Sequence, residues 1–127
     1  MSEPVICLID DDAAVLKGLS RLIATWGYRV RAFASAQQFL EQPPAADDEI
    51  GCLVLDAHMP VMSGFELQLE LDQAQRRLPI IFITGAGDEK LRSRALADGA
   101  VEFLEKPFAD VELRDAVQTA LTRRRTS

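Results

Sequence analysis

Cys52-Leu-Val-Leu-Asp56 is a short apolar run that ends in a carboxylate. Three more runs in the chain end in chemistry. Val5-Ile-Cys-Leu-Ile9 leads into Asp10-Asp11-Asp12, and Pro79-Ile-Ile-Phe-Ile83 leads into Thr84. Val101-Glu-Phe-Leu-Glu105 leads into Lys106-Pro107. Runs this short, apolar on both faces, read as strands buried in a parallel sheet. If they are neighbours, carboxylates, a hydroxyl and an ammonium meet at one edge. In open α/β sheets that edge is where ligands bind.

The segments between the runs read as helices. Val15, Leu16, Leu19, Leu22, Ile23 and Trp26 recur at helical spacing, and Gly27 can stop that helix. Tyr28 to Phe33 alternates, as an edge strand with one wet face does. Ser35-Ala-Gln-Gln38 has the capping-box pattern and opens a short helix to about Gln42. Pro43 and Pro44 end it, and residues 45–51 are expected to be a polar loop. A helix is expected from Gly64, where Phe65, Leu67, Leu69 and Leu71 stand among strong helix formers. Asp88 is expected to cap a fourth helix running to Ala97, with Gly99 at its end. Asp110 is expected to cap a fifth, carrying Leu113, Val117, Ala120 and Leu121. Five strands alternating with five helices imply a doubly wound parallel sheet with both faces covered.

With 127 residues the chain suits one domain, with a core at about 4–122 and a tail or linker start at 123–127. The net charge of -6 argues against direct nucleic-acid binding, which needs a basic face. No apolar stretch approaches the ~20 residues that span a bilayer. The start Met1-Ser-Glu-Pro4 lacks the features of a signal peptide, so a cytoplasmic location is expected. Cys7 and Cys52 lie inside apolar runs and read as buried free thiols. Arg123 to Arg125 read either as a helix end matched to its dipole or as the start of a linker.

Asp10, Asp11 and Asp56 would repel one another if brought together without a cation. A hard divalent cation removes that conflict, and Mg²⁺ takes one or two carboxylates together with waters and phosphate oxygens. Lys106 can set an ammonium opposite the cation, and Thr84 can donate to a phosphate oxygen. The set suits phosphoryl transfer to a carboxylate, where catalysis is positioning and charge neutralisation. Asp12 is a surplus carboxylate that reads better as a helix start than as a ligand.

In four pieces the chain resembles the response-regulator receiver domains of two-component signalling, with a (βα)5 flavodoxin-like fold of strand order 2-1-3-4-5. The pieces are Ile9-Asp10-Asp11, Leu55-Asp56-Ala-His-Met-Pro-Val-Met-Ser-Gly64, Ile83-Thr84-Gly85 and Glu105-Lys106-Pro107-Phe108. Thr84 to Asp88 and Glu105 to Phe108 look most like the subgroup of nitrogen-fixation regulators. The resemblance implies that Asp56 is the phosphoacceptor, served by a histidine kinase or a phosphotransfer protein. It implies that Mg²⁺ (or Mn²⁺) is held by Asp11, Asp56 and the backbone carbonyl of His58, with Asp10 acting through water. It makes Lys106 the phosphoryl contact, Thr84 and Phe103 a switch pair, and the Lys106-Pro107 peptide cis. Phe103 also reads as plain core packing. It lacks the tyrosine hydroxyl that many receivers carry at this position. His58 reads as a surface side chain that tunes the phosphoryl lifetime, and Gly85 as room beside Thr84. The output surface is expected on the fourth helix, fifth strand and fifth helix, where a second copy of the domain could dock.

Three other readings compete. A haloacid-dehalogenase-like phosphatase needs a second acid two residues after its nucleophile, where His58 stands. A flavin or nucleotide binder needs a glycine-rich loop after the first strand, where the three aspartates stand. A pseudo-receiver would dock partners without phosphorylation. The residues also leave open whether this is a stand-alone receiver or part of a longer regulator.

Overall fold

The computed structural model describes residues 4–85 and 89–126. Five parallel strands form one sheet in the order β2-β1-β3-β4-β5. They are β1 (Val5–Ile9), β2 (Arg29–Phe33), β3 (Ile50–Asp56), β4 (Ile80–Thr84) and β5 (Glu102–Glu105). The helices are α1 (Ala13–Thr25), α2 (Ala36–Leu40), α3 (Gly64–Gln73), α4 (Glu89–Ala97) and α5 (Asp110–Thr126). All residues of β1, β3 and β4 are buried, as strands covered on both faces must be. Ile6, Leu8, Cys52 and Val54 face α1 and α5 through Ile23, Leu113, Val117 and Ala120. Cys7, Ile9, Leu53, Leu55 and Phe82 face the other way, toward Phe39, Leu67, Leu71 and Ala95 of α2, α3 and α4. Alternation along each strand thus builds two cores on one sheet. Burial pushes the Cys7 thiol up to about 11 and Cys52 higher still, and neither is in a disulfide.

The helix starts follow local chemistry. Asp12 is the N-cap of α1, its Oδ1 accepting from the amides of Ala14 and Val15 at 2.9 and 3.3 Å. Gly27 follows α1 at φ 91°, and Gly99 follows α4 at φ 105°. Ser63 and Glu66 form a full capping box at α3. At α2, Ser35 accepts from the Gln38 amide, but the Gln38 side chain accepts from Ala34 instead. The expected cap Asp88 lies outside the described residues.

Besides one-residue shifts at strand ends (β2 starts at Arg29 and β5 at Glu102), three boundaries differ from the sequence reading. The expected polar loop at 45–51 is a 3₁₀ turn at Pro44–Glu49 followed by two strand residues. Ile50 is buried opposite Val5, and Gly51 passes so close to Pro4 and Leu121 that a Cβ there would meet both. The acidic run before them hides the strand start. Asp110 is the first residue of α5 and not its cap; the Ala109 amide instead donates to Glu112 at 2.9 Å. Helix α2 ends at Leu40, two residues early, because Glu41 and Gln42 form its closing turn ahead of Pro43.

The end of α5 is tied back to the domain. Arg124 donates to the carbonyls of Asp47 and Arg77 at 2.9 and 3.4 Å. Asp47 itself accepts two bonds from Arg76, at 2.8 and 2.9 Å. That guanidinium also lies over the Phe39 ring at 5.6 Å.

Candidate functional site

At their C-terminal ends β1 is joined to β2, β3 to β4 and β4 to β5 by backbone bonds beyond the strand ladders, while β1 and β3 are held by their own ladder up to Ile9 and Leu55. Asp10 donates to the Phe33 carbonyl at 3.1 Å, Ala57 to Ile83 at 3.0 Å and Lys106 to Thr84 at 2.7 Å. This lattice brings residues 10, 56, 84 and 106 to one edge. The chain then passes into the loop Ala57 to Ser63, which closes where Gly64 donates to the Ala57 carbonyl at 3.1 Å.

Asp10, Asp11 and Asp56 each present a carboxylate oxygen, and these atoms lie within 4.8 Å of one another. Asp10 and Asp56 are buried, while Asp11 is exposed. The Asp10 Oδ1 accepts from the Asp12 amide at 2.9 Å, but its buried Oδ2 has no hydrogen-bond partner among the described residues. Lys106 Nζ stands 3.5 Å from that oxygen, in ion-pair range but without hydrogen-bond geometry. Burial pushes the Asp56 carboxyl up to about 6. A hydrogen bond from the His58 amide and the charge of Lys106 act against that rise; the charges of Asp10 and Asp11 add to it. A buried oxygen without a donor, beside two more carboxylates, is what a hard cation would complete. The donor set is all oxygen, which fits Mg²⁺ or Mn²⁺ and not a thiolate-seeking metal.

The other expected site residues fall around this cluster. Thr84 is buried at the end of β4. Among the described residues, a Cβ on Gly85 would meet nothing within 4 Å. The His58 side chain is exposed, its ring 6.1 Å from that of Phe65. The Lys106-Pro107 peptide is cis. Phe103 is buried against Phe65 and Phe82. Asp12 stands outside the carboxylate cluster as a helix cap.

Three further residues shape the site without having been singled out. A Cβ on Gly64 would collide with the Asp56 carbonyl oxygen, so only glycine lets α3 start this close to the acceptor. Phe65 stacks behind the loop, and nothing in its spacing distinguishes it from an ordinary helix apolar residue. Val61 has φ 69° and is 87% exposed, at the centre of a tight turn closed by the Met62 amide on the Pro60 carbonyl at 2.8 Å. A β-branched residue there is rare, and the sequence gives no sign of the strain. A separate cleft of about 290 Å³ lies at the opposite ends of the strands, lined by Gln68, Arg76, Arg77 and Asp98 among others, and shares no residue with this cluster.

This sheet order, with acids, hydroxyl and amine gathered at its C-terminal edge, defines a class, and comparison with known proteins agrees. Residues 6–118 match the family model of the response regulator receiver domain, and the chain belongs to that family. It is 44% identical over 119 residues to the response regulator protein TmoT of Ectopseudomonas mendocina, covering 94% of this chain and 53% of that protein. It is 40% identical over 116 residues to the transcriptional regulatory protein FixJ of Bradyrhizobium diazoefficiens, covering 91% and 56%. Among solved structures, the response regulator StyR superposes with TM-score 0.88 at 42% identity, over 98% of this chain and 64% of that one. The structure of FixJ-N superposes with TM-score 0.83 at 35% identity, over 96% of both chains. The chain spans about half the length of the curated relatives it matches. Among the described residues no helix is long and apolar enough to cross a membrane.

Proposed function

We propose that Asp56 is the phosphoacceptor of a switch driven by a histidine kinase or a phosphotransfer protein. The observation that carries this reading is the carboxylate trio, with one buried oxygen lacking a donor and a lysine ammonium facing it. In the reaction an Asp56 oxygen attacks phosphorus as the phosphorus–nitrogen bond of the donor phosphohistidine breaks. The imidazole leaves with the electron pair. A bound Mg²⁺ or Mn²⁺ would neutralise charge on the phosphoryl oxygens, held by Asp11, Asp56 and the His58 carbonyl, with Asp10 acting through water. Lys106 supplies the opposing positive charge, positioned by the strand end that bonds to Thr84. The Thr84 hydroxyl binds a phosphoryl oxygen, and with Phe103 it forms the switch pair. Gly85, having no side chain, leaves a route for donor and attacking water. Exposed His58 borders that route and tunes how long the phosphoryl group persists. The domain promotes its own phosphorylation and dephosphorylation as part of signalling, in one receiver unit over 1–127, in the cytoplasm.

Output runs through α4, β5 and α5. A second copy of the chain suits this face, since α4 exposes Lys90, Arg92 and Arg94 while α5 exposes Glu112 and Asp115. The test is incubation with Mg²⁺ and acetyl phosphate, read by intact mass. One phosphoryl group should be gained by the wild type and none by Asp56→Asn. Asp11→Ala and Lys106→Met should each slow the gain by about 100-fold. A wild type that gains no mass would leave a docking module that works without phosphorylation. Steady phosphate release from many small esters would point to a hydrolase.

A further inference from the structure

Arg123-Arg124-Arg125 stand in the last turn of α5, and the function proposed above uses none of them. A helix dipole favours a cation at each of these positions alike. The structure does not treat them alike. Arg124 is half-buried and spreads its fork over two backbone carbonyls, that of Asp47 at 2.9 Å and that of Arg77 at 3.4 Å. Asp47 lies in the 3₁₀ turn that runs straight into β3, and Arg77 lies just ahead of β4. Arg123 is exposed and lines the cleft beside them.

Neighbouring contacts build up this grip. Leu121, one turn before Arg124 and so on the same side of the helix, lies against Gly51 at the start of β3. Arg76 binds both carboxylate oxygens of Asp47, at 2.8 and 2.9 Å, and thereby holds the turn whose carbonyl Arg124 takes. The Asp47 carboxylate also offsets the repulsion between the two guanidinium groups. Bonds from a charged donor are stronger than neutral ones, and a guanidinium makes two at once in a fixed plane. Both gripped segments feed strands that are buried throughout, so the fork fastens α5 to the interior of the sheet.

We infer that Arg124 is a positioning residue that fixes the direction in which the chain leaves the domain. Its fork sets the last turn of α5 against the entries of β3 and β4, the two strands that end at Asp56 and Thr84. Whatever continues α5 then leaves along one line set by the sheet, not on a loose tether. Charge alone does not do this, since Arg123 carries the same charge one residue away. The arrangement holds whether or not Asp56 accepts a phosphoryl group, and so goes beyond the function proposed above.

The test is the distance between two nitroxide labels, measured by pulsed electron resonance. One label is attached through Gln37→Cys on α2 and the other through Thr126→Cys at the end of α5. The pair Gln37→Cys and Gln118→Cys gives the width for the body of the helix. Cys7 and Cys52 are buried with their thiols pushed up, so they stay unlabelled near neutral pH. With Arg124 in place, the distribution at Thr126 should be as narrow as that at Gln118. Arg124→Ala should broaden it, and should speed amide exchange of residues 122–126 by about 10-fold while leaving the amides of β3 unchanged. Arg124→Lys keeps the charge and loses the fork, so it should broaden the distribution too. Arg123→Ala should leave the width as it was. A broad distribution at Thr126 with Arg124 in place overturns the inference. So does an Arg124→Ala distribution that stays narrow, or an equal broadening by Arg123→Ala. The width with Arg124 in place decides even where Arg124→Ala is unfolded.

Discussion

Asp10 and Asp47 are buried or nearly buried carboxylates at opposite ends of the same sheet, and their surroundings are completed to different degrees. Asp47 has both oxygens bonded to the fork of Arg76 at 2.8 and 2.9 Å, and its carbonyl accepts from Arg124. Hydrogen bonding to Asp47 in turn holds the Arg76 guanidinium above its ordinary range. Asp10 has one oxygen bonded and one without a donor, a lysine at 3.5 Å and two more carboxylates beside it. The first arrangement satisfies itself and ties the segment after α3, the 3₁₀ turn and α5 together. The second is incomplete and can be completed from outside. A native fold keeps few unsatisfied buried groups, and the one left within this acidic trio is what a bound cation would satisfy.

Breaking the completed end should have the largest effect on stability. Arg76→Met leaves Asp47 nearly buried and without its partner, with side chains only 11% and 14% exposed in the pair. We expect a loss of about 3 kcal/mol in urea unfolding, with acetyl-phosphate labelling of the folded protein unchanged. A loss of labelling equal to the loss of stability would show that the two ends are not separate. Gly64→Ala tests the other end. Its methyl collides with the Asp56 carbonyl, so the loop must shift; about 2 kcal/mol of stability should go, and labelling should slow as well.

Asp56→Asn sharpens the contrast through pH. The folded carboxyl titrates at about 6, against an ordinary value of 3.8. Below about 4 the group is protonated folded or unfolded and contributes no penalty. As pH rises from about 4 to 6 the unfolded chain ionises first, and stability falls; above about 6 the penalty is constant. In chelator at pH 7 the Asn variant should therefore be more stable than wild type by on the order of 1 to 2 kcal/mol, a gap that closes toward pH 4. Added Mg²⁺ should raise the wild-type melting temperature and leave Asp11→Ala nearly unmoved. The smallest effect belongs to Val61→Gly, which relieves a positive φ at an exposed position. About 1 kcal/mol of stabilisation is expected by thermal unfolding, with labelling by acetyl phosphate intact.

The charged and hydroxyl groups of the site were legible because they stand at the ends of apolar runs. Asp10, Asp56, Thr84 and Lys106 needed only the strands to be parallel and adjacent for their convergence to follow. Asp12 was legible as a cap from its place ahead of a helical repeat. Residues whose meaning depends on a distant partner were not legible. Ile50 and Gly51 sit behind three acidic residues and are strand only because Val5, Pro4 and Leu121 lie against them. Gly64 reads as a helix start until the Asp56 carbonyl is found against it.

By itself the amino-acid order determined the alternation of strands and helices, the parallel sheet and the identity of the chemical groups at its edge. These follow from period, capping and run length, which are properties of neighbouring residues. Tertiary structure alone decided that Arg76 closes on Asp47 across 29 positions, that one oxygen of Asp10 goes without a donor among the described residues, and that the Phe65 ring stacks on Phe103. Those outcomes depend on the distance and angle at which separate segments pack, and short-range pattern carries neither.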